Sequence, residues 1–331
     1  MQTYTAEHVF ALGYRASADA LTGALASGFD PASDPERTFT AVPAGEFLTM
    51  PSSVGEDAGI KILTLAPDNP EKHRPFIQGT YLLCVAETLT PHSLVDGIAL
   101  TALRTPAVAI AGARPALRRI AAHLTRRPNV VAFGAGVQGA GLVRALADEC
   151  GSGGVGFESL GSVTYAVRNP DRVSGSALAV GTEGLASGVG AVQAGSDVCR
   201  AAVEAADVIV CASAAREAVF EDSWVQPHVA VLAVGAHTPE TREVPAETMG
   251  RARVIVEDEA VALRENGDVV RAIADGALSE ADLVSMKSLF GEHSAEIEAS
   301  VKPASPTVVT TVGMSWQDLV VAAAVARAAN E

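Results

Sequence analysis

The sequence predicts an α/β protein: a doubly wound parallel-sheet domain together with an α+β domain. Three observations carry that expectation. Strand-like and helix-like runs alternate from about residue 125 to about residue 300. The strand-like runs there are unbroken stretches of Val, Ile and Ala, the pattern of strands covered on both faces and so of parallel pairing with crossover helices. Up to about residue 120 the chain instead shows strands joined by polar turns, the pattern of an antiparallel sheet. A chain of 331 residues is long enough for two such domains, each burying its own core.

In the N-terminal part, "RTFTAVPAGEFLTMP", "GIKILTLAP" and "FIQGTYLLCVAETLT" read as strands, and "SLVDGIALTALRTPAVAIAG" as a helix leading onward. "NVVAFGAG" is then the first parallel strand and "VQGAGLVRALADEC" its helix. "SVTYAV" (162–167), "DVIVCAS" (207–213), "HVAVLAVGA" (228–236) and "RVIVED" (253–258) follow as strands, with "SDVCRAAVEA" helical among them. The last segment, "SWQDLVVAAAVARAAN", has helical spacing and is expected to pack back on the first domain. The expected division is 1–120 with 304–331 for one domain and 121–303 for the other.

Charge and composition narrow the function. A net charge of −15 repels nucleic acid and anionic membranes, and neither partner is expected. The basic cluster "RRIAAHLTRR" is short, lacks interleaved aromatics and reads as a solvated helix face. No apolar run approaches the ~18 residues of a membrane span. Cys84, Cys150, Cys199 and Cys211 are scattered, and His92, His123 and His293 lie apart, so no disulfide framework and no metal site is expected. The opening "MQTYTAEHVF" lacks a basic segment followed by an apolar one, and the expected location is cytoplasmic.

Gly134-x-Gly136-x-x-Gly139 follows a strand, opens a helix and stands first in the βαβ series, the context a dinucleotide loop requires. Gly134 allows the tight turn, Gly136 lets bare backbone approach a pyrophosphate, and Gly139 lets helix and strand pack closely. The helix start at Val137 and Gln138 would then hold the anion on its unpaired amides. This makes the parallel domain Rossmann-type. The second strand ends at Val167 and Arg168, where an Asp or Glu would suit the ribose hydroxyls of NAD. A guanidinium there suits a 2′-phosphate, so NADP(H) is favoured and NAD(H) remains possible. The plainer reading of Arg168 is an exposed loop arginine.

Further blocks carry a family resemblance: "PERTFTAVPAGEFLTMPS", "GIKILTLAPDN", "LVDGIALTALRTPAV", "VAFGAGVQG", "ADVIVCASAA", "VGAHTPETREV" and "VGMSWQDLVVAAA". In this order they resemble the ornithine cyclodeaminase/μ-crystallin family. The resemblance implies a homodimer, a substrate-binding and dimerisation domain made from the N-terminal part and the last helix, and a nicotinamide cofactor in the cleft between domains. It implies a small carboxylate substrate at Arg37, Lys61 and Arg104, with Met50 beside them, and Lys61 as a catalytic residue. It further implies cofactor contacts at Thr105, Ser213, Val234, Gly235 and Asp318, besides the glycine loop and Arg168. The chemistry agrees: three cations flanked by apolar residues need anions, arginine grips a carboxylate bidentately, and a lysine depressed by burial and neighbouring cations can exchange a proton. The alternative is an ordinary salt bridge of each cation with a protein carboxylate such as Asp96. Asp96 and Thr101 are expected to orient Arg104.

Two positions depart from ornithine cyclodeaminases. Their aspartate after the fourth strand is matched by His237, and a threonine of their substrate domain by Phe76. A neutral histidine cannot supply a counter-charge for an ammonium group. The "G-x-H-x-P-x-x-R-E" form looks more like the dehydrogenase and imine-reductase branch, with His237 as a second catalytic residue or simply a group that holds its loop. Glu243, Glu265 and Asp268 read as supports for turns, and Asp318 as a helix cap. The expected function is hydride transfer between NAD(P)(H) and a small α-imino, α-keto or α-amino acid. An amino-acid cyclodeaminase with recycled NAD, and a non-catalytic ligand binder, remain as alternatives.

Overall fold

The structure, a computed structural model, describes residues 1–151, 153–173, 175–291, 294, 296 and 305–330. His293 lies outside them. The chain divides into two units, Met1–Ala107 with Gly313–Glu331, and Val108–Val312.

The first unit is built on a sheet of β1 (Gln2–Tyr4), β2 (Thr38–Val42), β3 (Gly45–Val54), β4 (Asp57–Leu65), β5 (Ile77–Val85) and β6 (Pro91–Asp96). Its order is β1-β6-β5-β4-β3-β2, antiparallel throughout except for β1 beside β6. Period-two alternation sets its faces. Leu48, Met50 and Ser52 of β3 are buried while Phe47 and Ser53 are exposed. The same phase puts Lys61 of β4 inward, opposite Met50 on one side and Tyr81 on the other. The C-terminal helix, Ser315–Ala328, packs on β3, β4 and β5 and on the helix Tyr14–Ala26. It is apolar almost all round because it is covered almost all round, with Trp316 against Phe29.

"SLVD" is not helical: it is most of β6, and the long helix Gly97–His123 starts only after it. Asp96 sets that start, its Oδ1 accepting from the amides of Ile98 and Ala99 at 3.0 and 2.9 Å. Thr101 donates to the carbonyl of Gly97.

The second unit carries a wholly parallel sheet of β7 (Val130–Phe133), β8 (Leu160–Val167), β9 (Ala186–Gln193), β10 (Val208–Cys211), β11 (Ala230–Ala233), β12 (Arg253–Val256), β13 (Leu283–Ser285) and β14 (Thr307–Thr310). The order is β13-β12-β14-β11-β10-β7-β8-β9. From β7 the chain runs outward through β8 and β9, then returns to β10 on the other side. The switch point of this doubly wound sheet therefore lies between β7 and β10, where such folds bind ligands beyond the carboxyl ends. β9, β13 and β14 add to the five strands expected. β14 also places 307–310 in this sheet and not with the C-terminal segment, since its four residues pair on both sides with β11 and β12.

Candidate functional site

In the first unit, the inward phase of β4 and the long helix bring Lys61 and Arg104 onto one buried carboxylate. Lys61 Nζ donates to Asp318 Oδ2 at 2.6 Å and Arg104 Nε to Asp318 Oδ1 at 3.0 Å. A terminal nitrogen of Arg104 donates to Gln317 Oε1 at 3.2 Å, and its guanidinium lies so close to Gly313 that a Cβ there would meet it at 2.4 Å. Lys61, Arg104 and Asp318 are 1, 5 and 0 % exposed. Burial pulls Lys61 down to about 8, with Arg104 and Arg37 adding to the depression and Asp318 opposing it. Arg37 is half-buried and within electrostatic reach of Lys61. Met50 is buried and packs with Leu48 and Leu63. Thr105 is half-buried on the long helix.

The salt-bridge partner of the two cations is thus Asp318 and not Asp96. Asp318 is not a cap either: the C-terminal helix has Met314 at its N-cap, and Asp318 lies one turn inside with both oxygens committed. Asp318 is the counter-ion between the two cations. Asp34 supports this arrangement. It accepts from Ser52 Oγ at 2.6 Å and from the amide of Trp316 at 2.8 Å, holding the start of the helix that carries Gln317 and Asp318. Burial raises its carboxyl to about 6. Asp34, Ser52, Gln317 and Gly313 carry no motif that marks them in the sequence. Asp34 stands three residues before Arg37, but its partners are far along the chain.

In the second unit, the glycine loop meets its steric requirements. Gly134 has φ +102°, and a Cβ on it would lie 2.4 Å from the carbonyl oxygen of Ala212. A Cβ on Gly139 would lie 2.0 Å from the carbonyl oxygen of Gly134, whereas Gly136 faces open space. Gly136 is the N-cap of the helix Val137–Asp148, and Val137 is 70 % exposed in its first turn, followed by half-buried Gln138. An open backbone at Gly136, closed off on either side by positions where no Cβ fits, is a cradle suited to a pyrophosphate. Arg168, just past β8, is exposed and has no ion pair among the described residues.

The loops after β10 and β11 carry Ser213, Val234, Gly235 and His237. Ser213 donates through its amide and its hydroxyl to Glu243 Oε1, and the amide of Gly235 donates to Glu243 Oε2. Val234 is half-buried beside them. His237 is exposed, with Nδ1 2.9 Å from the carbonyl oxygen of Gly235. That contact ties the ring to its own loop. Asp268 Oδ1 accepts from the amides of Glu243 and Val244, so Glu243 and Asp268 do support turns. Phe76 is exposed on the first unit.

A profile of the ornithine cyclodeaminase/mu-crystallin family matches residues 11–331. A Delta(1)-pyrroline-2-carboxylate reductase of Colwellia psychrerythraea is 28 % identical over 284 residues, covering 83 % of this chain and 81 % of its own. A ketimine reductase mu-crystallin of Rattus norvegicus is 31 % identical over 298 residues, covering 86 % and 82 %. Among solved structures, Thermococcus litoralis Delta(1)-pyrroline-2-carboxylate reductase in complex with NADH and L-proline shares the fold at a TM-score of 0.80, with 22 % identity and coverage of 100 % and 98 %. With the buried Lys61–Arg104–Asp318 group, the glycine loop and these likenesses in view, the chain belongs to the ornithine cyclodeaminase/mu-crystallin family.

Proposed function

We propose that the chain is an NAD(P)H-dependent reductase of small cyclic α-imino acids, yielding the corresponding α-amino acid. The observation that carries this reading is Lys61: buried, pulled down to about 8, and sharing a single carboxylate with Arg104 while Arg37 adds a third positive charge. Lys61 and Arg104 share the single charge of Asp318 between them, which leaves positive charge that a substrate carboxylate neutralises. Arg104 commits Nε to Asp318 and one terminal nitrogen to Gln317. Its other terminal nitrogen, with Arg37, is assigned to that carboxylate.

Lys61 keeps its proton up to about pH 8, held there by Asp318. It donates that proton to the imine nitrogen, and the resulting iminium is the better electrophile. When bound, the reduced nicotinamide supplies a hydride to the iminium carbon. Asp318 fixes both cations without touching substrate. His237, with Nδ1 given to Gly235, has only Nε2 left for exchange with substrate or solvent. The dinucleotide belongs on the Gly134–Gly139 loop, and exposed Arg168 supports NADPH over NADH through its 2′-phosphate.

The chain is read as a homodimer. The outward face of the first sheet presents half-exposed Ile60, Ile62, Leu82 and Leu94, an apolar surface suited to a second copy. All four cysteines are unpaired, which supports a reducing, cytoplasmic setting. No helix of the described residues is long and apolar enough to cross a membrane.

The test is oxidation of NADPH and NADH in the presence of Δ1-pyrroline-2-carboxylate or Δ1-piperideine-2-carboxylate. Turnover with either imine, faster with NADPH, is expected. No oxidation with any small imino or keto acid refutes the reading. Ammonia released from ornithine without added reductant would replace it with the cyclodeaminase.

A further inference from the structure

One carboxylate ties together the two loops that follow β10 and β11. Ser213 reaches Glu243 Oε1 through its amide at 2.6 Å and its hydroxyl at 2.7 Å, and the amide of Gly235 reaches Oε2 at 2.7 Å. Glu243 is itself tied down on both sides of its backbone. Its amide donates to Asp268, its carbonyl accepts from Val219, and it is 0 % exposed. A Cβ on Gly235 would lie 2.0 Å from the carbonyl oxygen of Ser213 and 2.5 Å from Glu243 Oε2, so the two loops and the carboxylate interlock.

We propose that Glu243 is a positioning residue for the dinucleotide: its ionised carboxylate holds the loops at Ser213 and Gly235 in the shape the cofactor needs, and a proton taken up there lowers cofactor affinity. This rests on the reading of the second unit as the dinucleotide-binding one. Donors at both ends of one side chain demand an acceptor at both ends. Only an ionised Glu provides that at this length, since Gln would turn an NH2 toward one of the donating amides. The charge has no cation bonded to it among the described residues. It faces the Asp268 carboxylate from the helix Gly267–Ala274 and the buried Cys211 thiol at the end of β10, while Arg242 and Arg271 act on Asp268. His237 hangs on the same loop through the carbonyl of Gly235. Burial, assisted by Asp268, raises Glu243 to about 7, so the carboxylate titrates close to neutrality.

The experiment is NADH binding to the full chain, followed by fluorescence or calorimetry across the neutral range; NADH avoids the titrating 2′-phosphate of NADPH. The wild-type dissociation constant is expected to rise about tenfold from pH 8 to pH 6, as one proton competes with the bound form. Glu243→Gln is expected to bind about tenfold more weakly at pH 8 and to be flat with pH. Ser213→Ala, which removes one hydrogen bond to the charged form, is expected to move the midpoint upward in pH. His237→Asn is expected to leave the midpoint where it was. Tight binding that is flat with pH, wild-type affinity in Glu243→Gln, an unmoved midpoint in Ser213→Ala, or a midpoint lost in His237→Asn overturns this proposal alone. No nucleotide binding at any pH overturns the cofactor reading beneath it, and this proposal with it.

Discussion

Replacing Asp318 by Asn removes the charge that two buried cations share while nearly preserving shape. Asp318 lies 2.6 Å from Lys61 Nζ and 3.0 Å from Arg104 Nε. At an effective dielectric near 20, unit charges about 4 Å apart attract by ~4 kcal/mol. Breaking a buried pair by deleting one partner costs about 3–5 kcal/mol. The amide oxygen of Asn can still accept from Arg104, which directs its NH2 at Lys61. Lys61 relieves that clash by shedding its proton, so the lower end of the range, about 3 kcal/mol, is expected. For a unit of this size the melting temperature then falls by about 6–12 °C. The same energy moves the deprotonation of Lys61 from about 8 in the wild type to about two pH units lower in the variant. Denaturant titration followed by circular dichroism measures the first effect, and the pH profile of kcat/KM measures the second. A variant within about 1 kcal/mol of wild type, with the alkaline limb of its profile unmoved, would show that Asp318 does not hold the two cations.

Gly136→Ala and Gly139→Ala should separate cofactor space from folding space. The first adds a methyl in open space, and is expected to leave stability within about 0.5 kcal/mol while weakening nucleotide binding. The second drives a Cβ to 2.0 Å from the carbonyl oxygen of Gly134 and is expected to lower the melting temperature as well; equal effects in both would contradict the geometry. Stability should also respond to pH in an unusual direction. Asp34, Glu243 and Asp268 are raised to about 6, 7 and 6, so the folded chain retains protons that the unfolded chain has released. Stability therefore rises as pH falls from about 7.5 toward about 5.5, and thermal scans showing the reverse would overturn those environments.

What was legible in the sequence is what local sterics or periodicity determine. The three loop glycines could be read because each requirement involves backbone within a few residues or one neighbouring strand. β9, "ASGVGAVQ", is not legible because its glycines and exposed positions resemble a loop, and because it pairs on one side only, at the sheet edge. β13 and β14 are three and four residues long, too short to show a period. "SLVD" is a strand although apolar residues follow it, because Asp96 before Gly97 is a helix start signal and the helix begins there. The role of Asp318 lay beyond local reasoning: its partners are 257 and 214 positions away, and an acidic residue early in a helix is read first as a cap. The supporting role of Glu243 is legible, but that it accepts from both loops at once appears only when β10 and β11 lie side by side.

The most direct test of the account follows the hydride itself. The chain is incubated with NADPH deuterated at C4 and Δ1-pyrroline-2-carboxylate, and the product is analysed by mass spectrometry and NMR. Proline carrying deuterium at its α-carbon is expected. Proline without that label, or cofactor that stays reduced beside untouched imine, would contradict it.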